Sequence, residues 1–125
     1  MTDVTGFGLA GHALELARAA QCSLNIEWSR VPLIDGVIKL AADGIATGAS
    51  GRNFASYGHD IALPADFAPP DKALLTDPQT SGGLLVSCAT ESVAEVLAVF
   101  RRHGFAAAAE VGEVLPSGPA ALVVR

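Results

Sequence analysis

The stretch TDVTGFGLAGHALELARAAQCSLNIEW, residues 2–28, changes period twice, and those changes set the fold class. Thr2 to Gly8 has no period and carries two glycines. From Leu9 to Ala20, apolar Leu9, Ala13, Leu16 and Ala20 recur at helical spacing, with His12, Glu15 and Arg18 toward another side. Ser23 to Trp28 then alternates apolar Leu24, Ile26 and Trp28 with polar Ser23, Asn25 and Glu27, the pattern of a half-buried strand. A loop, an amphipathic helix and a strand therefore follow one another directly.

Working outward, Pro32 closes the strand exit and Ile34 to Ala42 reads as a short helix. Asp43 to Ser56, rich in Gly, Ala, Ser and Asn, reads as helical turns and loop. Ala62 to Asp71, with Pro64, Pro69 and Pro70, is an irregular connection. Asp71 to Leu75 predicts one or two helical turns, and Leu84 to Cys88 a buried central strand. Thr90 is placed to cap the clearest helix, whose buried stripe is Val93, Val96, Leu97 and Phe100. Arg101, Arg102 and His103 suit its negative end, and Gly104 stops it. Ala107 to Val114 and Ala120 to Val124 are strands joined through Pro116-Ser117-Gly118-Pro119 in a hairpin-like finish. The expectation is a single α+β domain, a mixed β-sheet covered by helices.

At 125 residues the chain is long enough for one core, and 50% hydrophobic with 17% charged residues argues against disorder. A net charge of -5 leaves no basic footprint for nucleic acid. No apolar run reaches the roughly 18 residues of a membrane helix, and the N-terminus has no signal-peptide pattern. Cytosol is the default compartment. Cys22 and Cys88 sit in apolar, strand-like surroundings and read as buried structural thiols.

Two loops carry residue types suited to chemistry. In Thr2 to Gly8, Asp3 offers a hard oxygen ligand of the kind magnesium prefers. Gly6 and Gly8 allow close approach to an anion, Thr2 and Thr5 add hydroxyl donors, and the following helix offers free N–H groups. The plainer alternative makes Asp3 or Thr5 a helix cap and the glycines a turn, and the pattern alone prefers it. In Thr76 to Gly83, Pro78 holds Asp77 extended. Gly82-Gly83, with Thr80 and Ser81, can form an anion-binding nest. Here too the plainer alternative, a tight helix-to-strand connection with Asp77 and Thr80 bonding their own backbone, is preferred.

Other candidates are weaker. His12 and Glu15 stand three apart on one helix face, without a third metal ligand, so a surface pair or a structural hydrogen bond is preferred. His59-Asp60 reads as polar surface. Arg52-Asn53 suits either an anion or partner contact, or a turn. No catalytic triad or nucleophile elbow is present.

Taken together, Thr2 to His12 and Leu74 to Leu85 (LLTDPQTSGGLL) resemble the two signature stretches in the C-terminal half of selenophosphate synthetases (selenide, water dikinases). Arg52-Asn53-Phe54-Ala55-Ser56 and Val111-Gly112-Glu113-Val114 fit as well. The resemblance implies the C-terminal domain of an enzyme of the aminoimidazole ribonucleotide synthetase-like superfamily. Such enzymes make selenophosphate, AMP and phosphate from ATP, selenide and water, with Mg²⁺. By resemblance Asp3 is a metal ligand, and Thr2, Thr5, Gly6 and Gly8 border the phosphates. The second motif, Asp77, Gln79, Thr80, Ser81, Gly82 and Gly83, either braces the site or faces the phosphates.

The family's glycine-rich N-terminal segment, with its Cys or selenocysteine, its lysine and further metal-binding aspartates, has no counterpart here. The resemblance thus implies no catalytic residue in these 125 residues, an N-terminal domain as partner, and a homodimer built mainly through that domain. The isolated chain is expected to be inactive. Two alternatives stand beside this. One is the equivalent domain of another ATP-using relative, of thiamine phosphate kinase or hydrogenase maturation type. The other is a freestanding, non-catalytic module that binds phosphate or protein.

Overall fold

In the computed structural model, which describes residues 1–125, several strands and helices pack against one helix, α1 (Gly8–Ala20). It follows a two-residue strand, β1 (Thr2–Asp3), and leads through Gln21, in the left-handed region at φ 52°, into β2 (Ser23–Ile26). Three short helices come next: α2 (Val37–Ala42), α3 (Gly48–Tyr57) and, beyond strand β3 (Ile61–Ala62), α4 (Pro69–Leu75). The chain ends with β4 (Leu84–Leu85), α5 (Val93–Arg102), β5 (Gly112–Leu115) and β6 (Leu122–Val124).

The principal sheet has the order β3-β6-β2-β5 and is mixed: β2 runs antiparallel to β5 and parallel to β6, and β3 parallel to β6. The α+β expectation is met. The hairpin-like finish is not, because β2 lies between the two last strands. Ser23 explains the crossing: its hydroxyl donates to the Ala120 carbonyl at 2.8 Å and accepts from the Gly118 amide at 2.9 Å. The connection between β5 and β6 is thereby stitched across β2, and Pro116 and Pro119 keep it out of the ladder.

Strand β2 is not half-buried but buried at all four positions. Leu24 and Ile26 face the helices, while Ser23 and Asn25 are covered by the crossing connection and by polar side chains. Trp28 has left the strand for a helical turn (Trp28–Arg30) and meets Phe67 edge-on. On α1 the buried stripe is Ala10, Ala13, Leu14 and Ala17, rotated from the predicted one; Ala20 is exposed and His12 is buried. Small alanines let the helix approach the sheet closely, and Leu14 projects among Leu24, Ile26, Leu75, Leu122 and Val124. Each such fully buried aliphatic side chain contributes on the order of 2 kcal/mol.

The segment expected to be turns and loop contains the ten-residue helix α3, capped by Thr47, whose hydroxyl accepts from the Ser50 amide. Helix α4 starts at Pro69, two residues before the predicted start, with proline in the first turn where its missing N–H costs nothing. Only Leu84 and Leu85 of the predicted central strand pair, and they pair with β1 in a separate two-stranded sheet, Thr2 opposite Leu85 and Asp3 opposite Leu84. Leu84 is 52% exposed and Cys88 exposed, while Cys22 is half-buried against the core.

Helix α5 is where its period placed it, preceded by a helical turn (Thr90–Ser92) without a side-chain cap bond. Its stripe of Val93, Val96, Leu97 and Phe100 is only half-buried, since no other element covers it closely. Gly104 stops it at φ 90°, and Phe105 folds back on Phe100 in the apolar contact common at such helix ends. No helix is long and apolar enough to cross a membrane.

Candidate functional site

The two loops singled out by sequence lie against each other. The Val4 amide donates to the Gly83 carbonyl at 2.9 Å, continuing the β1–β4 pairing. The Thr5 carbonyl accepts from both the Gly8 and the Gln79 amides, each at 3.0 Å, so one oxygen closes the first loop and joins it to the second. Glycine is required at two of these contacts. At Gly8, φ is 69° and a Cβ would stand 2.7 Å from the Thr76 carbonyl carbon. At Gly82 a Cβ would stand 1.9 Å from the Val4 carbonyl oxygen. Gly82 and Gly83 do not adopt positive φ, so glycine at 82 serves close approach rather than a turned backbone. Gly6 and Gly83 face open space.

Helix α3 clamps both loops from one side. The Asn53 side-chain amide donates to the Gly6 carbonyl at 2.9 Å and to the Thr76 carbonyl at 3.0 Å. Tyr57, one turn further, donates its hydroxyl to the Phe7 carbonyl. Burial pushes the Tyr57 phenol up to about 12, so it remains a donor throughout the ordinary pH range. Ser50 donates to the Ala73 carbonyl at 2.9 Å, with the Thr76 hydroxyl 2.8 Å away, anchoring the start of the second loop. Asp77 is held by the Thr47 hydroxyl at 2.9 Å.

Ser50, Asn53 and Tyr57 recur at i, i+3 and i+7, one face of a helix. That spacing is the signal for a polar clamp, and the loop-like composition of the segment obscures it. Asn53, for which either a ligand contact or turn stabilisation was expected, has its amide occupied by two loop carbonyls. Neither Asp3 nor Thr5 caps α1: the cap position is Phe7, with no side-chain bond to the helix. The Thr5 hydroxyl instead lies 3.0 Å from His12 Nε2, and His12 Nδ1 lies 2.8 Å from a Glu15 carboxylate oxygen. His59 and Asp60 lie 3.7 Å apart near the surface, where an Arg18 hydrogen bond holds the Asp60 carboxyl below its usual range.

What faces outward is a narrow polar edge. Asp3 is exposed and forms no ion pair; Gly83 is exposed just before its strand partner Leu84, Thr80 and Ser81 are exposed in the second loop, and Thr2 is half-buried. No three His, Cys, Asp or Glu side chains are grouped to hold a metal ion. One free carboxylate suits a hydrated Mg²⁺, which keeps several waters and takes its remaining ligands from phosphate oxygens. The donor set fits that ion only as one side of a shared site. A polar hollow of about 420 Å³ among Asn25, Glu27, Arg30 and Glu113 lies on the principal sheet, lined by none of these residues.

An α+β domain whose two glycine-bearing loops are locked into one edge defines a recognisable class. The chain belongs to the family described as AIR synthase related protein, C-terminal domain, which matches residues 1–125. Among curated proteins it is similar to the selenide, water dikinase of Burkholderia orbicola (strain MC0-3), 57% identical over 120 residues, covering 96% of this chain and 34% of that protein. The selenide, water dikinase of Pseudomonas straminea is 55% identical over 123 residues, 98% of this chain and 34% of that protein. That of Rhizobium meliloti (strain 1021) is 51% identical over 112 residues, 90% of this chain and 32% of that protein. The chain thus spans about a third of the length of these relatives.

Proposed function

We propose that this chain forms the C-terminal domain of a selenide, water dikinase, which makes selenophosphate, AMP and phosphate from ATP, selenide and water. The observation that carries the reading is the interlock of the two signature loops, which leaves Asp3 free at the edge they share. Asp3 supplies one carboxylate to Mg²⁺, which when bound neutralises polyphosphate charge. Phosphoryl transfer depends mainly on such neutralisation and on positioning. Here the backbone clamps of Asn53 and Tyr57 keep the Thr5–Gly8 turn rigid beside Asp3.

In this reading Asp3 supplies only a metal ligand, and the catalytic groups belong to an N-terminal domain of the same polypeptide. Exposed apolar side chains, among them Leu84 at 52% and Phe105 at 63%, support a covering partner domain. A cytoplasmic, homodimeric full-length enzyme accords with this reading.

The test supplies purified chain with ATP, selenide and Mg²⁺, alone and then within a full-length synthetase in which it replaces the corresponding segment. The chain alone forms no AMP, the chimera does, and Asp3→Ala in the chimera lowers the rate about 100-fold or more. Selenide-dependent AMP formation by the isolated chain, or an Asp3→Ala chimera of unchanged rate, overturns the proposal.

A further inference from the structure

His12 is a buried nitrogen base, 7% exposed, directly behind the loop edge, and nothing in the proposed chemistry uses it. Its two ring nitrogens have different partners: Nδ1 lies 2.8 Å from Glu15 Oε2, and Nε2 lies 3.0 Å from Thr5 Oγ1. A carboxylate only accepts, so the Nδ1 atom carries the proton. In the neutral ring Nε2 is then a bare acceptor, because the bond made by one nitrogen sets the state of the other. Thr5 donates to it. A threonine hydroxyl has one proton, and here that proton points inward.

Beside a neutral ring, Thr5 therefore presents lone pairs, and no proton, on its other side. In that state it is an acceptor and not a donor to phosphate. An acceptor two positions from the Asp3 carboxylate suits the water protons of a hydrated cation and repels a phosphate oxygen. We propose that His12, held by Glu15, is a positioning residue that fixes the Thr5 hydroxyl as an acceptor for the hydration shell of a divalent cation. The inference rests on the reading of Asp3 above and extends it to the side chains behind the loop.

The test begins with nitrogen NMR of the ¹⁵N-histidine-labelled protein at mildly alkaline pH, where the three histidines are few enough to assign. His12 carries its proton on Nδ1. Thr5→Val moves only the Nε2 resonance, toward an unbonded acceptor. Glu15→Gln raises the Nε2-protonated form about tenfold, since an amide side chain donates as readily as it accepts. A wild-type ring protonated on Nε2, alone or together with Nδ1, overturns the proposal.

A Mg²⁺ titration of the full-length chimera, where the shared site is complete, followed at the Gly6 and Gly8 amides then tests the route. Glu15→Gln and Thr5→Val each raise the Mg²⁺ midpoint about 10-fold, as groups supporting a metal's ligands do. The double variant is no worse than either single one, and Thr5→Ser, which keeps the hydroxyl, retains the wild-type midpoint. Losses that multiply in the double variant refute action through Thr5. If Mg²⁺ moves neither amide in the wild type, the assignment of Asp3 falls instead, and the ring resonances still decide the state of His12.

Discussion

Replacing Asn53 by alanine should loosen both loops at once, because a single side-chain amide serves two backbone carbonyls. Each bond contributes about 1 kcal/mol net. The two carbonyls differ in their access to water once the amide is gone. Gly6 is exposed, so its oxygen regains water; Thr76 is 1% exposed, so its oxygen is left with less. The sum for Asn53→Ala is about 2 kcal/mol, and for a domain of this size about 8 °C in Tm. Asn53→Asp should be worse, by roughly a further 1–2 kcal/mol, because it removes the same donors and sets a carboxylate against two carbonyl oxygens. Urea denaturation of the three proteins measures both differences. Hydrogen exchange at the Gln79 amide, bonded across to Thr5, reports whether the loops separate in the native state. An alanine variant within about 0.5 kcal/mol of wild type, or an aspartate variant as stable as the alanine one, would refute the clamp.

Gly82→Ala places a Cβ where the Val4 carbonyl oxygen already lies, 1.9 Å away, and should cost about 2–4 kcal/mol in denaturant unfolding. Its neighbour is the control: Gly83→Ala meets nothing within 4 Å and should stay within about 0.5 kcal/mol. The Tyr57 phenol, raised by burial to about 12, keeps a proton in the folded state that the unfolded chain releases near pH 10. Between those values the folded state binds more protons, so stability falls with rising pH, by at most about 2 kcal/mol once solvent screening of the phenol is discounted. Tyr57→Phe should lack that component of the alkaline loss, which pH-dependent urea midpoints of the two proteins would reveal.

Much of the fold was legible because it rests on short-range patterns. The presence of α1, α5 and β2, and Gly104 as a helix stop, each depend on a few adjacent residues, whereas the buried face of α1 and the full burial of β2 depend on what packs over them. The misreadings share a cause. Helix α3 was hidden because Gly48, Ser50, Gly51 and Asn53 are poor helix formers, and its stability comes from the Thr47 cap and from bonds its polar face makes to distant loops. Leu84 to Cys88 read as a central strand because an apolar run does not say which partner it finds. The only partner it finds is two residues long.

For the site, the sequence by itself determined the two loops, their glycines and the acidic residue at position 3, and hence the family they resemble. Only the tertiary structure decided that the loops are one edge: Gly82 and Gly8 are glycine because another backbone passes within contact distance. It also decided that Asp77 is engaged by Thr47 while Asp3 is free, and that the Thr5 hydroxyl turns toward His12. The physical reason is the same in each case. Residue spacing encodes which face of an element a side chain occupies, whereas its hydrogen-bond partner depends on another segment, seven residues on for Thr5 but tens of residues away for Asp77 and Asn53, that packing brings within 3 Å.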